Sequence, residues 1–315
     1  MQRVKAMNNL EQATKPVAVR WGGMSMTALA GGLLLGLSGC LSDSDESGSF
    51  TLGVTDAPVE DAESVVVQFT GVEVHSEGGD TESFEFDEPR QIDLLALQGE
   101  ASENLLEDEE LPAGDYEWIR LNVDAERDVL DSYIELDNGE QHSLFIPSGA
   151  QSGLKLVSGF TMAAGGTADF TIDFDLRKSV FNPASEVSGQ DYKLRPALRL
   201  VDNLEVGTIA GTVSSDWAGE DDCQGAVYVY EEHDAETGSL GSDDEPLASD
   251  SVEMDEDGQF VFEVAYLLEG DYTAAFTCQA DMDDPGEEND IDFLETLNTT
   301  VEIDETTEIA FGEED

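Results

Sequence analysis

The chain has 315 residues, of which 72 are acidic and 13 are basic, and its formal net charge is −59. This charge excludes nucleic acid as a partner, because binding to nucleic acid depends on cations that neutralise phosphates. Apolar residues make up 40% of the chain and recur in strand-like patterns, so we expect folded domains rather than general disorder.

The chain starts with the pattern of a signal peptide. Four basic residues precede an apolar run at 24–37, and this run of about 14 residues is shorter than the ~20 that a membrane-spanning helix needs. Residues 1–39 are therefore predicted to be a signal peptide, with a weak membrane-anchor helix as the alternative.

The run ends in Leu-Ser-Gly-Cys, from Leu37 to Cys40, which resembles the lipobox of bacterial lipoproteins. The resemblance implies cleavage before Cys40 and acylation of its thiol and its new amino group, and several acyl chains hold a protein firmly to a membrane. Leu41 rather than an aspartate follows, which favours the outer membrane, facing either the periplasm or the exterior. Residues 40–49 are then the lipidated cysteine and a flexible acidic tether.

Removal of residues 1–39 takes away four of the 13 basic and one of the 72 acidic residues, which leaves 9 against 71 and a formal charge near −62. Like charges in a compact chain repel one another, and concentrated salt relieves the repulsion because the Debye length falls to ~3 Å at 1 M. The composition is typical of a salt-adapted organism, and most carboxylates are expected to be solvated.

Two cysteines, Cys223 and Cys278, remain once Cys40 carries lipid. In an oxidising compartment a disulfide between them is the expectation, and two free buried thiols are the alternative. No C-x-x-C spacing supports a zinc or thioredoxin-type site.

Short runs rich in Val, Ile, Phe and Tyr follow the tether, separated by turn residues, and they predict β-strands. In chain order these runs are 50–54, 65–74, 83–86, 116–123, 133–136, 142–146, 154–162 and 168–174. The turn at 137–139 is Asp-Asn-Gly, whose residues tolerate positive φ, so a hairpin is expected there. Segment 92–106 is the one stretch predicted to be helical, with five leucines available for a buried face.

The pattern restarts near residue 205, where 206–213 alternates as a new first strand. Further strands are predicted at 226–230, 248–254, 259–264, 271–278, 297–303 and 308–311. Seven strands in about 110 residues suit a β-sandwich of ordinary domain size. The chain is thus predicted to be all-β, with two immunoglobulin-like or transthyretin-like β-sandwich domains in tandem, at 50–204 and 205–315.

Three stretches of the first predicted domain resemble the family known as domain of unknown function 4382. They are Val54 to Val59, Leu111 to Leu121, and the long run from Ile146 to Asn203. The match covers residues 50–203. It implies a bacterial lipoprotein or secreted protein of β fold, and it brings no established activity.

The second predicted domain is similar to carboxypeptidase-regulatory-like modules of transthyretin-like or starch-binding-like topology. The matching stretches are 207–213, 226–230, 257–262 and 267–273. Modules of this class serve mostly as spacers, recognition units or stalks.

No motif for catalysis is found in the sequence. His75, His142 and His233 are far apart, and there is no G-x-S-x-G elbow, P-loop or G-x-G-x-x-G. No catalytic residue, metal or cofactor is therefore predicted, although a glycosidase needs only two carboxylates at a set spacing, and no pair stands out. Trp118 and Trp217 are candidate sugar platforms, with Trp118 in a strand expected to be core.

Two acidic loops approach the calcium-binding EF-hand pattern. The loop that starts at Glu253 has Val264 at its twelfth position, where a bidentate glutamate is needed. The loop at 281–292 has Pro285 at its fifth position, which has no side-chain ligand. Solvated acidic loops are the expectation, and calcium binding in the second loop stays open.

Five of the nine mature cations fall within a short span: Arg177, Lys178, Lys193, Arg195 and Arg199. On a single strand, those at 193, 195 and 199 would share one face because side chains alternate. Local pairing with carboxylates is the simpler interpretation, and an anion-binding or partner patch is the more specific one.

Two function classes follow. The favoured one is a non-catalytic surface lipoprotein, held to the membrane by its lipid, whose sandwiches bind a glycan or a partner protein. The alternative is a lipid-anchored hydrolase of envelope polymers, since fold alone does not fix chemistry. The oligomeric state stays open.

The charge predicts that salt stabilises the protein. Raising KCl from about 0.1 M to about 2 M should raise the melting temperature, because screening weakens the repulsion between carboxylates. The part of the chain after Arg199 should gain most, since it contains no lysine or arginine. Thermal melts of the two predicted domains, produced separately and followed by circular dichroism, measure the effect, and midpoints that stay flat across this range would contradict it.

Overall fold

The computed structural model of the chain describes residues 47–57, 62–146, 153–181, 192–195, 197–220, 222–286 and 288–312. Within these ranges, 21 strands form four sheets, and the α-helices α1 (Leu176–Ser179) and α2 (Ser215–Ala218) have four residues each. No helix in the described ranges is long and apolar enough to cross a membrane.

The first half of the chain contains thirteen of these strands. They are β1 (Ser47–Ala57), β2 (Ala62–Ser76), β3 (Thr81–Asp93), β4 (Glu103–Pro112), β5 (Gly114–Asp124), β6 (Tyr133–Leu136), β7 (Gln141–Phe145), β8 (Leu154–Leu156), β9 (Phe160–Met162), β10 (Thr167–Asp175), β11 (Val180–Phe181), β12 (Tyr192–Leu194) and β13 (Leu198–Asp202). The second half contains β14 (Val206–Val213), β15 (Ala226–Glu231), β16 (Ala248–Ser251), β17 (Glu253–Met254), β18 (Phe260–Leu268), β19 (Gly270–Thr277), β20 (Phe293–Val301) and β21 (Thr306–Phe311).

Sheets I and II enclose the first hydrophobic core. Sheet I has the order β13-β10-β1-β4, with β1 parallel to β10 and antiparallel to β4. Sheet II has the order β11-β12-β7-β6-β2-β5-β8, and β3 also pairs with β2 and β9 with β5. Strand alternation sends one side of each strand into the core. Phe50, Leu52 and Val54 of β1 are fully buried there, as are Ile119 and Leu121 of β5.

Sheets III and IV enclose the second core, which includes Ile209, Phe276 and Phe311. Sheet III has the order β17-β18-β14-β21, and sheet IV has the order β16-β15-β19-β20. Strand β15 does not alternate, because every residue from Ala226 to Tyr230 is buried. Its outer face belongs to a small third cluster that contains Leu240, so sheet IV is covered on both sides at this strand.

The predicted boundary near residue 205 lies in the link between β13 and β14. Sheets I and II draw only on strands that end by Asp202, and sheets III and IV only on strands from Val206 onward. Asp202 shapes the link, because its carboxylate accepts a hydrogen bond from the Leu204 N–H at 3.0 Å. The prediction of an all-β sandwich fold is confirmed, and the division into two separate domains stays a prediction.

The predicted helix at 92–106 is wrong. Strand β3 runs through residue 93, a single 3₁₀ turn covers Leu94–Ala96, and β4 begins soon afterwards. Gly99 explains the break, because its φ is +62° and a Cβ there would collide with the Glu263 side chain. The predicted strand at 154–162 also divides, into β8 and β9, which pair with different parts of β5.

Cys223 and Cys278 form the expected disulfide, with their Cα atoms 4.5 Å apart. Both cysteines are partly buried against the second core. The bond closes a loop across a sequence separation of 55, which stabilises the fold by about 4 kcal/mol in the chain-entropy model.

Candidate functional site

A buried arginine joins the first half of the chain to the second. Arg177 lies in α1 and is only 4% exposed. Helix α1 follows β10 directly and is capped by Asp175, whose carboxylate accepts a hydrogen bond from the Lys178 N–H at 3.1 Å. From this helix, Nη1 of Arg177 reaches β15 and donates to the Tyr228 hydroxyl at 3.2 Å.

Tyr228 extends the contact to a buried carboxylate. Its hydroxyl donates to Oδ2 of Asp283 at 2.8 Å, and the Leu240 N–H donates to both carboxylate oxygens, at 3.2 and 3.0 Å. Arg177, Tyr228 and Asp283, which we call the joint, therefore form a continuous hydrogen-bonded chain, and none of the three is more than 7% exposed. A buried charge is costly unless it is paired and hydrogen-bonded, so the cation of one half and the carboxylate of the other stabilise each other.

Burial changes the protonation equilibria in the joint. It lowers the pKa of Arg177, although the nearby Tyr228, Asp250 and Asp283 act in the opposite direction. Burial also raises the pKa of the Tyr228 hydroxyl, which Arg177 partly offsets. The phenol is therefore neutral in the physiological range, where it can accept from the guanidinium and donate to the carboxylate at the same time.

Asp250 in β16 is a second buried carboxylate near the joint. Burial raises its pKa to about 7, while hydrogen bonds from the Glu263 and Ser251 N–H groups and the charge of Arg177 act to lower it. The Glu263 N–H lies 2.7 Å from Oδ2 of Asp250. Asp250 also borders a cavity of about 400 Å³, lined in addition by Glu253 and Glu308. A carboxyl with this pKa can exchange its proton near neutral pH.

A backbone bulge makes another contact between the halves. Tyr266 in β18 has φ of +55°, and the pairing of β18 with β14 changes register between Gly207 and Ile209. The Tyr266 hydroxyl donates to the Glu100 carbonyl oxygen at 3.0 Å, and the Glu100 N–H donates to Oε1 of Glu263 at 2.9 Å. A non-glycine residue at positive φ is strained, so these contacts help to hold it.

The five cations proposed as a patch do not share the face of one strand. Lys193 lies in β12 of sheet II, Arg199 lies in β13 of sheet I, and Arg195 lies between these two strands. The expectation of a single strand fails because the chain passes from one sheet to the other within this segment. Arg177 is part of the joint, and its side chain is buried.

Arg199 and Lys178 form ion pairs with nearby carboxylates. Nη2 of Arg199 is 2.6 Å from Oδ2 of Asp173. Nζ of Lys178 is 3.0 Å from Oε2 of Glu245 in the second half and 3.5 Å from Oδ2 of Asp175. These distances support the interpretation of local pairing, and a role for the five residues as an anion or partner patch stays a prediction.

The two tryptophans proposed as sugar platforms have different surroundings. Trp118 is partly exposed on the outward face of β5, while Ile119 beside it points into the core, so its side chain is not core. Trp217 in α2 stacks on Phe276, with ring centroids 6.1 Å apart, and packs against the second core.

The described part of the structure has no cluster of side chains that could bind a metal ion. There, no group of three or more His, Cys, Asp or Glu side chains is arranged to hold a metal ion. In the first acidic loop, Asp255 accepts hydrogen bonds from the Asp257 and Gln259 N–H groups and so shapes a turn. In the second loop, Asp283 belongs to the joint. Cys40 lies outside the described residues, and its acylation stays a prediction.

The match to a known protein family covers the first half of the chain. Residues 47–196 match the family described as domain of unknown function DUF4382. Arg177 lies within the matched residues, whereas its partners Tyr228 and Asp283 lie beyond them. A search of curated proteins gave no match.

Three solved structures illustrate the structural likeness. The TIE protein of Bacillus anthracis shares 11% identity, with 84% of this chain and 33% of that chain covered and a TM-score of 0.19. The minor pilin GBS52 of Streptococcus agalactiae shares 11% identity, with 84% of this chain and 94% of that chain covered and a TM-score of 0.19. The family CBM26 protein CBMbc from Eubacterium rectale Amy13K, solved with maltoheptaose, shares 16% identity. The match covers 83% of this chain and 90% of that chain, with a TM-score of 0.17. The chain thus spans about a third of the TIE protein, and scores this low establish no common function.

The joint is the part of the site that sequence reasoning missed. Arg177 stands among other cations in the sequence, which suggests a surface position, and Asp283 stands in an acidic loop. One signal was available: the unbroken apolar and aromatic run from Ala226 to Tyr230 is typical of a strand buried on both faces. Such a strand needs a cover on its outer side, and Leu240 and Arg177 contribute to that cover.

Asp250 predicts a pH-dependent contribution to stability. Its pKa rises from an ordinary 3.8 to about 7 on folding, so the folded state binds this proton more tightly. The contribution is fully present below about pH 4 and is lost as the pH rises through about 7. At about 1.4 kcal/mol per pKa unit, the loss is on the order of 4 kcal/mol. Asp250→Asn, which cannot ionise, should remove this dependence.

Urea unfolding of the wild type and of Asp250→Asn from about pH 4 to about pH 8 measures the effect. Asp257→Asn, at an exposed turn position, is the matched control. Relative to the wild type, Asp250→Asn should gain stability as the pH rises, while the control should keep a constant difference. A constant difference for Asp250→Asn as well would contradict the assignment.

Proposed function

We propose that this chain is an outer-membrane lipoprotein, anchored through acylated Cys40, whose two β-sandwiches form a non-catalytic binding or structural module for a glycan or a protein partner. The joint is the observation that carries the proposal. The joint links the two sandwiches through buried charged side chains. A rigid scaffold or binding module needs such a fixed connection between its parts.

The buried charged groups of the joint are hydrogen-bonded within the fold, which supports a non-catalytic role. Catalytic residues are commonly buried groups with shifted pKa values that face a cleft. Both oxygens of Asp283 accept hydrogen bonds within the fold, from Leu240 and Tyr228, and Arg177 donates to the same tyrosine. A glycosidase acid must instead place its carboxyl beside a bound substrate, and Asp283 is only 7% exposed.

The sequence supports the anchor and the location. The leader ends in Leu-Ser-Gly-Cys at Cys40, and Leu41 favours transfer to the outer membrane. Strand β1 starts at Ser47, so the first sandwich begins shortly after the proposed lipid. The disulfide between Cys223 and Cys278 agrees with an oxidising, extracytoplasmic compartment. The formal charge near −62 agrees with a surface that meets external salt.

A lipid-anchored hydrolase of envelope polymers is the second candidate, and Asp250 is the observation that favours it. Its pKa of about 7 suits a general acid, and Glu253, Glu263 and Glu308 line the same cavity. The hydrogen bond from the Glu263 N–H to Asp250 argues for a structural role instead. Release of reducing ends from envelope polysaccharide by the wild type, lost in Asp250→Asn, would favour the hydrolase.

The anchor predicts the behaviour of Cys40→Ala in cells. The variant should remain as unprocessed precursor, lack label from a fatty acid and leave the outer-membrane fraction, because the thiol that receives the lipid is gone. Ser42→Ala, two residues later, is the matched control and should be processed and labelled normally. Fractionation with acyl labelling measures both, and a Cys40→Ala protein that is cleaved and labelled as the wild type would overturn the anchor.

A further inference from the structure

Three side chains that can carry positive charge surround the outward-facing indole of Trp118. The His75 ring on β2 stacks on it, with centroids 4.7 Å apart and an interplanar angle of 15°. Nζ of Lys155 on β8 lies 4.3 Å from the indole centroid, and Cζ of Arg120 on β5 lies 4.8 Å from it. We call these four residues the Trp118 cluster.

The strand register places the cluster and keeps it together. His75 is paired with Trp118 between β2 and β5, and Arg120 is paired with Lys155 between β5 and β8. Gly153 allows β8 to come this close, because its φ is +56° and a Cβ there would lie 2.5 Å from the Leu121 carbonyl oxygen. The cluster is therefore fixed by backbone pairing on three adjacent strands rather than by flexible loops.

The charge balance of the cluster is opposite to that of the chain. Arg120 pairs with Glu73, with Nη1 and Oε2 2.9 Å apart. Lys155 is exposed, and within the described residues no carboxylate oxygen lies within 4.0 Å of its ammonium group. In a chain with 72 acidic residues, an exposed lysine held against an indole instead of a carboxylate keeps its charge available.

We propose that the Trp118 cluster binds the carboxylate or sulfate group of an acidic glycan, with Lys155 as the main charged contact and Trp118 as the surface that positions it. The inference deepens the proposed binding function and rests on it. Neighbouring strands are ~4.8 Å apart, so the cluster is about 10 Å wide, which fits a short saccharide. The net charge of the chain repels polyanions in general, so an anionic ligand must make close contacts with the cluster rather than be attracted from a distance.

The indole is positioned to support the ligand at its side rather than to stack on a sugar ring. Its two strand neighbours, β2 and β8, contribute His75 and Lys155, and both side chains contact the ring. A lysine that keeps its ammonium over the π face is also less free to rotate, which reduces the entropy lost when an anion binds.

The test measures binding of polygalacturonate, a uronate polymer, to the whole mature chain by calorimetry at about 0.15 M salt, where the Debye length is ~8 Å. The wild type should bind polygalacturonate and not neutral dextran. Lys155→Gln should weaken binding about tenfold, because a charged hydrogen bond is lost, whereas Lys155→Arg should keep it. Arg90→Gln, which removes the cation that lies over Phe86, is the matched control and should bind as the wild type.

Equal weakening by Lys155→Gln and Arg90→Gln would overturn the proposal, since it would show a general charge effect. Absence of binding to both polygalacturonate and dextran sulfate, or tighter binding to phosphatidylglycerol vesicles, would overturn it too. Melting temperatures of all variants confirm that the fold is retained. If the chain neither binds nor cleaves the polymers, the glycan inference is wrong and the proposed anchored, non-catalytic module is unaffected. If the chain cleaves the polymer, the proposed non-catalytic function is wrong.

Discussion

The burial of the Arg177 guanidinium is the constraint on which the arrangement of the two sandwiches depends. A guanidinium stays charged in a protein, so removing it from water requires a partner that accepts hydrogen bonds. The first half of the chain supplies this cation, which is hydrogen-bonded to Tyr228 and, through it, linked to Asp283. The chain after Arg199 has no lysine or arginine, so the buried carboxylates of the second half have no cation of their own half available. The two halves are thus complementary in charge where they meet.

The same scarcity explains how the remaining cations are used. Among the residues that the structure describes, five cations lie over aromatic rings: Arg90 over Phe86, Arg120 and Lys155 over Trp118, Arg127 over Phe145, and Arg177 over Tyr228. A cation over a π face remains attracted without being neutralised by a carboxylate. Among these cations, Arg120 is also paired with Glu73, whereas Lys155 has no carboxylate oxygen within 4.0 Å among the described residues.

Much of the fold could be predicted from the sequence, because strand alternation and turn chemistry are local signals. The restart at Val206 follows from such signals, and the disulfide of Cys223 with Cys278 follows from the count of cysteines that remain besides Cys40. The helix at 92–106 was wrong, since leucine spacing does not show that Gly99 must turn the chain. The joint could not be predicted, because whether a cation is buried depends on which distant strand covers it, and no local pattern reports that pairing. Trp118 was expected in a core strand, and its outward position was missed, although alternation with the buried Ile119 was a local signal for it.

The coupling of the two sandwiches through the joint is tested most directly by scanning calorimetry of the mature wild type and of Arg177→Met. Methionine keeps much of the apolar volume and removes the charge, so Tyr228 and Asp283 lose their cation. The wild type should unfold in one transition that includes both halves. Arg177→Met should separate into two transitions and lose about 3 to 5 kcal/mol, the cost of leaving a buried charge without its partner. Two independent transitions in the wild type, unchanged in Arg177→Met, would contradict the account.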